Sequence, residues 1–303
     1  KSIFLDEKNY LKKAKDYGLE FVDQSAGTAD LARAHYVYGA ETIGRDHRFL
    51  ITGNFGSELF RAMHLTGEMI AYPTYLFFSG EKPEELLEKA KNMEEYSLLN
   101  ESNYQEAEKE LNADLEEYTR SNDHLPLNQK FYVFLLEEVF RKYFGPEIHM
   151  QNQYIENRTP FLDFQFVKQL FSTRLAGVYS NYYEHNPIKR KKGQLFYAQV
   201  IKDTHKKLYR MKTGKGYAPK DILNPLGNIK LGWTYGLKKL RPVNQPDDPF
   251  CVKKAFMEHL GEYKAIRVQP AFFNQDKHNQ LMTKPGQHYK KLIKTISLNL
   301  FIN

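Results

Sequence analysis

The chain has 303 residues, 41% hydrophobic and 27% charged, and 44 basic against 37 acidic side chains leave a net charge of +7. This length suits one large domain or two ordinary ones, and the composition excludes a disordered chain, a collagen-like chain and a small disulfide scaffold. A single cysteine, Cys251, excludes an internal disulfide and a cysteine-based zinc site. No apolar run of about 18 residues and no apolar leader core occur, so neither a membrane span nor a secretory signal is expected, and a reducing, cytoplasmic location is.

In chain order, residues 6–17 have helical spacing, with acids first and lysines later, as the helix dipole favours. Gly18 is expected to end that helix, and residues 19–23 to form a short strand. A second helix is expected from Thr28 to about Tyr38. Residues 48–53 read as a buried strand ending in glycine, with a helix over 58–63 after it. Helix and strand alternating at this spacing predict a parallel α/β sheet in residues 1–80.

A mainly helical part is expected over 81–225. Its helices are predicted at 83–118, at 127–144 (closed by Gly145-Pro146), at 163–176 and at 192–208. Residues 222–249 are rich in Pro, Asn and Gly and read as loops, so 226–303 is expected to be a loop-rich extension with a short helix and a basic, apolar end at 290–301. Trp233, beside Gly232, reads as a packing anchor and Cys251 as a structural cysteine. None of the ten histidines falls in a ligand spacing such as His-Glu-x-x-His.

Charge is unevenly placed. Residues 81–117 hold 13 acidic against 4 basic side chains, and 189–215 hold 10 basic against 1 acidic, Asp203. The basic run suits a polyanion, or forms a solvated helix face. The 43 aromatic residues are spread along the whole chain, which favours core packing over base stacking.

Three segments carry candidate chemistry. The first is Ile51-Thr52-Gly53-Asn54-Phe55-Gly56-Ser57-Glu58-Leu59-Phe60, a strand, a glycine turn and a helix start. Ligands of open α/β sheets lie at the carboxyl ends of strands, although an ordinary strand–turn–helix fits too. The second is Glu156-Asn157-Arg158-Thr159-Pro160-Phe161-Leu162-Asp163, a proline-fixed turn in which Arg158 can pair with Asp163 or Glu156. The third is Arg210-Met211-Lys212-Thr213-Gly214-Lys215-Gly216-Tyr217-Ala218-Pro219, three cations around two glycines, either a phosphate-contacting loop or a flexible basic loop.

Together and in this order, the three segments resemble the synthetase domain of the asparagine synthetase family. That family carries a strand ending in Gly-acid-Gly-Gly-Asp-Glu-Leu-Phe, then Glu-x-Arg-x-Pro-Phe-Leu-Asp, then Arg-x-Lys before a glycine-rich stretch and Pro. Here the middle segment matches throughout, and the third matches at Arg210, Lys212, Gly216 and Pro219. A lysine-led helix from Lys192 also falls where the family has one. The resemblance covers roughly residues 1–225.

The resemblance implies a partial Rossmann-like parallel sheet of the adenine nucleotide alpha hydrolase type, with an added helical part. It implies an ATP-dependent amide ligase that adenylates a small-molecule carboxylate and lets an amine displace AMP, with Mg²⁺ on the phosphates. Lys212 and Glu58 would be catalytic; Gly53, Asn54, Gly56 and Ser57 would line the nucleotide site; Arg158, Asp163 and Arg210 would support it.

The departures are specific. Asn54 stands at the family's first acid and Ser57 at its Asp, so Glu58 is the one carboxylate left in that turn. The family's pyrophosphate loop, Ser-Gly-Gly-x-Asp-Ser, occurs nowhere in the 303 residues, and its cysteine-dependent glutaminase domain is also absent. Two explanations stand open: the chain is part of a longer protein and works with an upstream segment or a partner protein, or it is a relative that has lost the catalytic apparatus and acts as a scaffold. A third reading, a basic nucleic-acid-binding module, rests on the 189–215 run and lacks any recognised binding signature.

Overall fold

The first helix, α1 (Glu7–Gln24), starts where Asp6 accepts backbone N–H bonds from Lys8 at 2.9 Å and Asn9 at 3.3 Å. Its buried residues, from Tyr10 and Leu11 through Ala14 and Tyr17 to Phe21 and Val22, repeat every three or four positions and so share a face. Gly18 does not end this helix, and residues 19–23 continue it rather than forming a strand. The reason is steric: a Cβ on Gly18 would lie 2.9 Å from Leu31 Cδ2, so the glycine admits the next segment against α1. The glycine serves packing, not termination. We obtained the architecture from a computed structural model, which describes residues 5–60, 85, 98–179, 192–214, 216–240, 248 and 250–302.

After a 3₁₀ turn at Leu31–Arg33, capped by Asp30, α2 (Ala34–Gly44) packs on α1 and leads to β1 (Phe49–Ile51). A short helix, α3 (Gly56–Phe60), follows the turn; the rest of the expected 58–63 helix lies outside the described residues. Further on come α4 (Glu101–Ser121), α5 (Leu127–Phe134) running into a π-helical stretch (Leu135–Phe144), and α6 (Gly145–Gln151). Most of the expected helix over 83–100 lies outside the described residues. Gly145-Pro146 does not close a helix. Pro146 stands in the first turn of α6, where its missing N–H costs nothing.

The second strand, β2 (Glu156–Arg158), pairs parallel with β1: Phe49 opposite Glu156, Leu50 opposite Asn157, Ile51 opposite Arg158. The described residues thus form a helix-rich fold with a small two-stranded parallel sheet. β1 is not the buried strand its sequence suggests. Leu50 packs on the core of α1 and α2, whereas Phe49 is 49% exposed and Ile51 76% exposed. The guanidiniums of Arg48 and Arg158 lie 4.9 and 5.6 Å from the Phe49 ring centre and cover part of it.

The remaining helices are α7 (Phe164–Phe171), α8 (Lys192–Thr204), α9 (Lys206–Arg210), α10 (Pro219–Leu223) and α11 (Gly227–Leu240). The stretch expected as loops thus contains α11; its glycines are tolerated within the helix, and Trp233 on it is 69% exposed rather than a packing anchor. The chain ends in α12 (Val252–Glu258), α13 (Leu260–Ala265), α14 (Gln275–Met282) and α15 (Pro285–Ile302). Leu292, Ile293 and Ile296 of α15 join Val22 and Leu31 in one core, and Ser297 Oγ accepts the Leu31 N–H at 3.0 Å. The last helix therefore completes the burial of the first. Among the described residues no helix is long and apolar enough to cross a membrane.

Candidate functional site

Parallel pairing brings the carboxyl ends of β1 and β2 together, so the first two sequence segments meet although they lie far apart in the chain. Thr52 Oγ1 and Thr159 Oγ1 are 2.7 Å apart, and Thr159 donates onward to Asn157 Oδ1 at 2.7 Å. Asn157 donates its amide to Gln151, and Gln151 donates to Glu147 Oε1 at 3.4 Å. Asn54, from the β1 turn, donates to the same Glu147 oxygen at 3.2 Å. Arg33 closes the chain, 3.5 Å from Glu147 Oε2, with its guanidinium 3.9 Å from the Tyr143 ring centre. A partly buried polar network thus runs behind both strand ends.

Glu147 sits at its centre. Burial raises its carboxyl pKa above the ordinary glutamate value, while Arg33, Asn54 and Gln151 pull it back. Sequence reasoning missed this residue. Its signal is a proline-led helix start with an acid in the first turn, which in the sequence reads as a stop.

Behind the turn the site is aromatic. Phe55 adopts φ +66, a left-handed conformation uncommon for a bulky residue, and is fully buried. Its ring meets Phe140 and Phe144 edge-on, at 5.4 and 5.5 Å. The π-helical stretch supplies both partners. Gly56 allows a second close approach. A Cβ there would fall 2.7 Å from the Phe161 ring and 3.0 Å from the Tyr197 hydroxyl, and that hydroxyl donates to Gly56 O at 3.0 Å.

Helix α8 is therefore the hub. Tyr197 holds the first segment through Gly56 and packs 5.8 Å from Phe161 of the second. One turn earlier, Gln194 accepts the hydroxyl of Tyr217 from the third segment at 3.1 Å. Tyr217 also turns back on Thr213, whose N–H reaches Tyr217 O at 2.9 Å, so the glycine loop is closed at its base.

The individual candidates fall as follows. Gly53 is exposed, with open space where a side chain would stand. Glu58 is half-buried at the start of α3, and its backbone oxygen accepts the Tyr132 hydroxyl at 2.9 Å. Ser57 lies in the same helix, its side chain outside the described residues. Arg158 pairs with Glu156 on an exposed face, not with Asp163. Asp163 instead caps α7, accepting the Phe166 N–H at 2.8 Å. Arg210 ends α9, and Lys212 follows it; both are exposed. Lys215 lies outside the described residues.

Gly53 and Lys212 are both exposed to solvent. Among the described residues no three His, Cys, Asp or Glu side chains converge to hold a cation, and the Asn54 amide is committed to Glu147. The turn itself would offer a phosphate-bound Mg²⁺ one carboxylate, Glu58. No protein-family model, no curated protein and no solved structure matches this chain.

Proposed function

We propose that the chain is a synthetase-type domain of an amide-forming ligase, on a partial Rossmann-like sheet of the adenine nucleotide alpha hydrolase type. The supporting observation is the convergence of the three sequence segments on α8, with the first two side by side at the strand ends. In this reading a substrate carboxylate attacks the α-phosphorus of ATP, giving an acyl-adenylate and pyrophosphate. An amine nitrogen then attacks the acyl carbon, the C–O bond to AMP breaks, and the amine proton passes to a carboxylate. Lys212 offsets the negative charge that develops on the phosphate, Glu58 is the turn's carboxylate for that proton, and Gly53 and Gly56 let the backbone approach.

The test is AMP and pyrophosphate release from ATP, with ammonia and a panel of carboxylic acids. Lys212→Ala should abolish release while leaving the far-ultraviolet circular dichroism unchanged, because Lys212 is exposed. Unchanged turnover removes Lys212 from the mechanism.

A specific observation supports a second reading, a non-catalytic scaffold. Asn54 occupies the family's acid position, and its amide is spent on an internal bond to Glu147. That reading expects no ATP-dependent AMP release with any acid, and steady AMP production would end it.

A further inference from the structure

The connection between α13 and α14 forms one wall of a groove of about 810 Å³, a size that holds small organic ligands. Asn299 of α15, fully buried, builds that wall. Its Oδ1 accepts the Gln269 N–H at 2.7 Å, and its amide donates to Arg267 O at 3.3 Å. The opposite wall is α14, started by Asn274, which accepts the Lys277 N–H at 3.0 Å.

Three features of the lining point to a ligand. Lys264 and Arg267 both line the groove, and no Asp or Glu does, so its charge is positive. Ile266, Val268 and Met282 add apolar surface. His278, also in the lining, is only 3% exposed, and its Nδ1 has no hydrogen-bond partner. An unsatisfied buried polar atom is costly and uncommon in native proteins, so its presence in a groove calls for an occupant.

We propose that this groove binds a small organic carboxylate with an apolar body. The carboxylate meets Arg267 and Lys264 and accepts the N–H of His278 Nδ1, and the apolar body lies along Ile266, Val268 and Met282. Burial lowers the His278 pKa below the ordinary histidine value, so at neutral pH the ring is uncharged and the two rim cations supply the attraction. The site is independent of the proposed ligase chemistry.

The experiment is calorimetric titration of the full chain with octanoate, with octanol as the uncharged control. Octanoate is expected to bind with Kd below about 1 mM, and Arg267→Gln to weaken it about tenfold, as loss of one charge-assisted contact does. Arg267 is exposed, so this variant keeps its fold. In the unaltered protein, the His278 ring signals in nuclear magnetic resonance should shift with octanoate and not with acetate. Equal affinity for octanol, unaltered affinity in Arg267→Gln, unmoved His278 signals, or no octanoate binding would each overturn the proposal.

Discussion

Asn54 donates its amide to Glu147 Oε1 at 3.2 Å, joining the turn after β1 to the first helix before β2. This bond gives a physical reason for an amide where the resemblance implies an acid: a carboxylate at position 54 would face Glu147.

Asn54→Asp should therefore destabilise the fold by about 2 kcal/mol at pH 7, the scale of an unpaired buried charge. The Glu147 carboxyl already has a raised pKa, and a second carboxylate raises it further. A carboxyl with a raised folded-state pKa binds its proton more tightly folded than unfolded, so lowering the pH from 7 to 5 recovers stability. Urea unfolding of both proteins at the two pH values checks this, and adding Glu147→Gln should rescue the variant. An equal penalty at pH 5 and pH 7 would contradict the carboxylate clash.

Phe55 combines a left-handed backbone with a fully buried ring. Phe55→Ala should lose about 3–5 kcal/mol of packing and keep the backbone strain. Phe55→Gly loses the same ring but relieves the strain, worth about 1–2 kcal/mol for a residue in that region. The glycine variant is thus expected to be the more stable of the two, the reverse of the order found in ordinary helices and strands. Thermal or urea denaturation decides it.

Gly56→Ala places a methyl against Phe161 and the Tyr197 hydroxyl. The expected loss is about 1–3 kcal/mol, as for overpacking elsewhere. Tyr197→Phe removes one hydrogen bond and should cost about 1 kcal/mol alone. Because the Tyr197 hydroxyl is one of the clashing atoms, the double variant should lose less than the sum. A strictly additive double-mutant cycle would separate the two sites.

Tyr17 donates its hydroxyl to Glu41, which also pairs with Arg45. The Tyr17 bond and then Arg45 hold the Glu41 carboxyl below its ordinary pKa. Stability from a depressed carboxyl is present above the unfolded-state pKa and is lost as pH falls through the folded-state value. Tyr17→Phe should thus lose about 1–2 kcal/mol at pH 7, and the difference from the parent should shrink toward pH 3. Urea midpoints across that range test it; a pH-independent difference would assign the loss to something other than Glu41.

Local signals in the sequence survive in the structure. Asp6 starts α1, Lys192 leads α8, and β1 falls within residues 48–53, because caps and short apolar runs act over a few residues. Features set by distant partners were not legible. Gly18 reads as a terminator until Leu31 is seen against it, and Gly145-Pro146 as a stop until Pro146 is seen opening α6. β2 is three polar residues, Glu156, Asn157 and Arg158, with no apolar alternation to reveal a strand. The same holds at the site. Asn54 was singled out by its place in a motif, but its partner Glu147 lies 93 residues away and carries no motif of its own.

Thr52 and Thr159 touch across 107 residues of chain, the same span that separates the two strands. Most helices close their hydrogen bonds within a few residues, whereas joining such distant ends costs about 4 kcal/mol of loop-closure entropy before any strand contact repays it. The strand ends should therefore come together late in folding, after α1 and α2 have docked. Pulsed hydrogen exchange during refolding should show the α1 amides protected before the Thr52 and Glu156 amides, which bond across the strands. Late assembly also orders function after fold: until the strand ends meet, the first two segments lie apart on a helical chain that has no site.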